Sequence, residues 1–154
     1  MNILPGIGVG LIRFGVTEND VIAIFGTPDL VEQCEYIEGA GDWHKTLSYF
    51  RKNICFTFDE EDDYRLGTIS ILGPSYFLFE KELLGKTKEE VKRIIVAESL
   101  EIPRDEKWHT DDNLDLECLD HDGLGILFWF KGGRLFKMEC SYLFDSNNED
   151  IIWP

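Results

Sequence analysis

At 154 residues, 44% of them apolar and 29% charged, the chain is long enough for one packed domain and too apolar for disorder. Thirty acidic against fifteen basic side chains give a formal net charge of -15, which repels phosphate backbones, argues against a nucleic-acid partner and attracts basic proteins or cations. No apolar run approaches the ~20 residues of a membrane span, and Met1-Asn2-Ile3-Leu4-Pro5-Gly6 lacks the basic-then-apolar pattern of an export signal, so no membrane partner and a cytoplasmic location are expected.

Gly6-Ile7-Gly8-Val9-Gly10 has the wrong spacing for a nucleotide loop and reads as a flexible turn leading into a first strand. Thr17 then stands where a helix N-cap belongs. Val21, Ile24 and Phe25 follow at the spacing that lines one helical face, and Gly26 with Thr27-Pro28 ends the helix. Asp20 is three residues after the cap, a shorter capping-box partner than a glutamate. Strands are predicted over Thr46 to Phe50, Ile54 to Phe58 and Leu66 to Ile71, with apolar residues at alternate positions. Between the last two lie Asp59, Glu60, Glu61, Asp62 and Asp63. Five carboxylates in one turn must be solvated or must meet cations, and their order is not that of an EF-hand calcium loop.

Gly73-Pro74-Ser75 is the predicted junction between segments 1–74 and 75–154. Thr87 and Glu90 form a second capping box ahead of Val91, Ile94 and Ile95, and this helix runs toward Leu100, before Pro103. Strands are predicted again over Leu114 to Leu119, Ile126 to Phe130 and Leu135 to Cys140. Lys131-Gly132-Gly133-Arg134 suits the positive φ angles of a tight hairpin. The two segments thus read as copies of one pattern, offset by about seventy residues. The expected fold is α+β: a tandem duplication of a helix followed by a three- to four-stranded antiparallel meander, the halves sharing a core or a sheet.

The run Gly10-Leu11-Ile12-Arg13-Phe14-Gly15-Val16-Thr17, continued by Val21 and Phe25-Gly26-Thr27-Pro28, resembles the helix-start motif of β-lactamase-inhibitory-protein-like domains. The hairpin Leu127-Phe128-Trp129-Phe130-Lys131-Gly132-Gly133-Arg134-Leu135 is similar to theirs too. A similar motif occurs in small outer-membrane assembly lipoproteins, and the scaffold resembles that of some bacterial toxin-immunity proteins. Val16 stands where the motif carries Met, and Leu84-Gly85-Lys86-Thr87 lacks the later G-x-P. The resemblance implies a tandem-repeat protein that binds another protein across its sheet and has no catalytic activity of its own. The lipoprotein branch would need a lipidated N-terminal Cys, and the secreted branch a disulfide in each repeat. Cys34, Cys55, Cys118 and Cys140 do not fall at matching positions, so the resemblance points to a cytoplasmic relative.

These four cysteines form no C-x-x-C pair, so no zinc or redox motif is predicted, and Cys118 and Cys140 read as buried small hydrophobes. No cofactor and no metal are expected. Trp129 and Leu127 alternate with Ile126, Phe128 and Phe130, which places them on the outer face of the sheet if the latter three pack under the helices. An exposed Trp is a strong binding anchor. The expected partner-binding set is therefore Trp129, Leu127, Trp43, Trp108 and the carboxylates Asp59, Glu60, Glu61, Asp62 and Asp63. The expected function is inhibition of a basic protein, most concretely an immunity protein for a toxin such as a nuclease. The alternatives are a housekeeping adaptor on the same scaffold, or a small enzyme or ligand binder using Cys, His and carboxylates, which a deep pocket with a Cys and a His within ~3.5 Å of each other would mark.

Overall fold

The alternating runs pair into one large sheet, and the two amphipathic segments coil against one of its faces. The computed structural model describes residues 1–109, 115–147 and 149–154, with side chains except at 106–109. Three short strands, β1 (Ile3–Leu4), β2 (Gly8–Val9) and β3 (Ile12–Arg13), make a small antiparallel sheet. Helix α1 (Glu18–Phe25) follows, then strands β4 (Leu30–Glu35), β5 (Trp43–Tyr49), β6 (Ile54–Asp59) and β7 (Arg65–Ile71). After helix α2 (Lys88–Ser99) come β8 (Arg104–His109), β9 (Asp115–His121), β10 (Ile126–Lys131) and β11 (Arg134–Ser141). A closing ribbon pairs β12 (Leu143–Phe144) with β13 (Ile151–Ile152). The fold is α+β. Its main sheet is antiparallel throughout, in the order β4-β5-β6-β7-β11-β10-β9-β8.

The seam between the two meanders is the β7–β11 pair, where Ile71, Ser70, Ile69 and Thr68 face Met138, Glu139, Cys140 and Ser141. Each meander has four strands, one more than the three clear alternating runs of the sequence. The additional ones, β4 and β8, are the edges. Leu-Val-Glu-Gln-Cys-Glu has no alternation because five of its six residues are exposed, so no buried face imposes a period of two. Gly6 to Gly10 is a correction as well: instead of a simple lead-in turn it contains β2, laddered to both neighbours.

The core is a single cluster drawn from both segments. Ile54, Phe56, Phe58, Leu66, Ile69 and Ile71 meet Ile126, Phe128, Phe130, Leu135 and Met138, with Val21, Val91 and Ile95 of the helices above them. In α1 the sequence placed Ile24 on the buried face, but it is 49% exposed, and Ile22 packs against the core in its place. An eight-residue helix has just over two turns, and its orientation on the sheet selects Val21, Ile22 and Phe25. The tight Gly132-Gly133 turn forms as expected, at φ 57° and 77°.

Both capping boxes close, and Asp20 is long enough after all. Its Oδ2 accepts from Thr17 N at 2.8 Å, as Glu90 Oε2 does from Thr87 N. Hydrogen bonds from Thr17 and Thr87 hold the two carboxyls below their ordinary range. A carboxylate with a depressed folded-state pKa stabilises the fold above its unfolded value and loses that contribution as pH falls through the folded one. Glu90→Gln should therefore lower the urea midpoint at neutral pH. The gap to wild type should close as the medium is acidified below about pH 4, where protonated Glu90 and glutamine become equivalent acceptors. A gap unchanged with pH would show that the charge of Glu90 contributes nothing.

Candidate functional site: the outer sheet face and its acidic end

Because both helices lie against one face, the strand residues of opposite parity form the other face of the sheet. The registers align one row across all eight strands: Leu30, Ser48, Cys55, Ser70, Glu139, Leu127, Asp120 and Arg104. The β5–β6 part of this face is small and polar. Thr46 and Thr57 hydroxyls lie 3.2 Å apart, and Cys55 Sγ is 3.4 Å from Ser48 Oγ.

Trp129 lies on the outer face, as the strand alternation predicts, but is half-buried rather than exposed. Its Nε1 donates to Glu139 Oε2 at 2.9 Å, Lys137 Nζ lies 5.4 Å from its ring centroid, and Lys137 reaches Glu139 Oε1 at 2.8 Å. The indole is thus fixed on its rim, with its orientation set before any partner arrives. Leu127, two residues away on the same face, borders a hollow of about 670 Å³ with Asp120, Tyr142 and Phe144.

The five carboxylates occupy the β6–β7 turn, which closes as a short 3-10 helix over Glu60–Asp62, with Asp63 at φ 55°. They divide by environment. Tyr36 donates to Asp59 Oδ1 at 2.6 Å and Tyr142 to Asp62 Oδ2 at 3.1 Å, whereas Glu60, Glu61 and Asp63 are exposed. Burial, then the hydrogen bond to Asp59 and the charges of Asp59, Glu139 and Asp42, push the Tyr36 hydroxyl well above its ordinary range. Tyr142 is raised in the same direction by burial and then by Asp62, Asp59 and Glu61. Both phenols are therefore fixed neutral donors that hold the turn without discharging it.

The structure brings Trp43 to this turn. Trp43, 41% exposed, lines a groove of about 350 Å³ with Tyr36, Asp42, Asp59, Glu60 and Glu61. Four of the residues singled out in the sequence thus converge on one end of the sheet, while Trp129 and Leu127 stand on the opposite side of the seam. Trp108 pairs with Leu116 in the β8–β9 ladder, and its side chain lies outside the described residues, as does that of His109.

Sequence reasoning missed Tyr36 and the contact between Cys34 and His44. Cys34 Sγ lies 3.4 Å from His44 Nε2, and the Tyr36 ring stacks on the imidazole at 3.9 Å between centroids and 16° between planes. Reading Leu30–Glu35 as a strand would have put Cys34 opposite His44. Among the described residues no three His, Cys, Asp or Glu side chains are grouped to hold a metal ion, and no helix is long and apolar enough to cross a membrane.

No family model matches the chain, and no match is found among curated proteins or among solved structures.

Proposed function

We propose that the chain is a non-catalytic, cytoplasmic inhibitor of a basic protein, an immunity-type protein built as a tandem repeat. The observation that carries this is the presence on one sheet of a rim-fixed Trp129 and, across the seam from it, of the solvent-facing carboxylates Glu60, Glu61 and Asp63. The charge accelerates encounter with a positive surface, and the indole supplies desolvated contact area once the surfaces meet. The net charge of -15 acts in the same direction. Supporting the repeat origin are the two helix-plus-four-strand units, each with a Thr-capped helix. The resemblance to β-lactamase-inhibitory-protein-like domains implies the same layout.

The test is affinity capture on the immobilised wild-type chain, followed by titration of what is captured. The expected partner has an isoelectric point above about 9. Trp129→Ala should weaken its binding by about 2 kcal/mol, roughly 30-fold. Raising salt from about 0.01 to about 0.1 M, which shortens the Debye length from ~30 to ~10 Å, should slow association far more than it speeds dissociation. A partner that is acidic, or one indifferent both to Trp129 and to salt, overturns the assignment.

A further inference from the structure

The four thiols have very different surroundings. Cys118 and Cys140 are buried, and burial, then the charge of Glu139, pushes the Cys140 thiol up to about 12. Cys55 is half-buried against Ser48. Cys34 is exposed on the edge strand β4 and meets the His44 imidazole.

The histidine is held in place from several sides. Tyr36 stacks on its ring and is itself tied to Asp59. The β4–β5 loop that carries Tyr36 is fixed by Glu35, which accepts from Gly39 N at 2.7 Å and from Gly41 N at 2.8 Å. The other ring nitrogen, His44 Nδ1, is buried with no hydrogen-bond partner among the described residues. A buried N–H with no acceptor is costlier and rarer than an unfilled acceptor lone pair. The ring proton therefore belongs on Nε2, where it faces the sulfur. An Nε2–H so placed donates a hydrogen bond to the sulfur that would attack a disulfide.

We propose that Cys34, with the His44 Nε2–H directed at its sulfur, is the chain's site of thiol–disulfide exchange with cationic low-molecular-weight disulfides. The Cys34 thiolate attacks one sulfur of R–S–S–R. A new sulfur–sulfur bond forms to Cys34 as the original one breaks, and the departing RS⁻ takes a proton from water. Cys34 is oxidised to the mixed disulfide, and the small disulfide is reduced to one thiol. Preference for a cationic reagent follows from Glu32, two residues earlier on the same strand face, from nearby Glu35 and Asp59, and from the net charge of -15. The exchange requires no protein partner, so it stands or fails separately from the inhibitor assignment.

The experiment treats the native, fully reduced chain with cystamine at neutral pH and follows adducts by intact mass and peptide mapping. One adduct is expected, at Cys34, forming faster than the average thiol of the same chain unfolded in urea. Oxidised glutathione, which is anionic, should react about tenfold more slowly at low salt, with the difference shrinking as salt is added. His44→Phe, which keeps a ring under Tyr36 but removes the N–H, should slow the reaction about tenfold with an unchanged circular dichroism spectrum. If that variant does not fold, the native-against-unfolded comparison decides alone. Labelling of several thiols at similar rates overturns the proposal. So does a folded His44→Phe chain that reacts like wild type, a native rate no higher than the unfolded average, or equal rates with the two disulfides.

Discussion

Replacing Phe128 by alanine is expected to destabilise the protein by about 3–5 kcal/mol, a large part of the ~5–15 kcal/mol that holds a domain of this kind together. Phe128 is fully buried at the middle of β10, between Met138 of β11 and Leu119 of β9 in the registers. Its row continues through Met138 to Ile71 across the seam and on to Ile54. A cavity there removes contacts from both meanders at once, and the sheet cannot collapse into it without breaking ladder bonds on either side. Urea unfolding should therefore show one transition with a lowered midpoint and an unchanged slope. Two separated transitions, with only one of them shifted, would mean that residues 1–74 and 75–154 unfold independently despite the common core.

The parts of this architecture that were legible in the sequence are those where burial is one-sided. Ile54-Cys55-Phe56-Thr57-Phe58 and Ile126-Leu127-Phe128-Trp129-Phe130 each have one dry and one wet face, so their alternation survives as a pattern and correctly assigns Trp129 to the outer side. The capping Thr residues were legible because the orphan amides of a helix start demand a nearby acceptor. What escaped was whatever depends on position in the assembled sheet. β4 and β8 are strands because a neighbour offers them a ladder, not because their own residues alternate. The Cys34–His44 contact required the β4–β5 register, which in turn is set by a loop stitched together by Glu35 and Asp42 through backbone amides. Likewise Trp43 and the 59–63 carboxylates are sixteen or more residues apart, and only the β5–β6 ladder, with His44 opposite Asp59, brings them to one end.

Gly8→Ala is expected to cost on the order of 3 kcal/mol, although it adds one methyl group to a two-residue strand. Gly8 lies at φ 150°, and a Cβ built there would stand 2.0 Å from the carbonyl oxygen of Ile12 and 3.0 Å from Arg13 Cα. Both are backbone atoms of β3, the strand that Gly8 is paired with, so no side chain can turn aside to make room. The strands must separate. Ile3, Val9, Ile12 and Phe14, buried residues of this N-terminal sheet and its exit, would then lose their places in the core. The backbone bonds that tie the N-terminus to the second segment, Ile3 N to Phe77 O and Phe77 N to Met1 O, would be strained with them. Gly132→Ala is the control. Gly132 has φ 57°, but nothing lies within 4 Å of its added methyl, so that substitution should cost only the ~1–2 kcal/mol of a left-handed alanine. The difference between the two variants measures the steric contact at Ile12. Equal losses would show that β2 and β3 part without penalty and that the N-terminal sheet is not anchored to the core it covers.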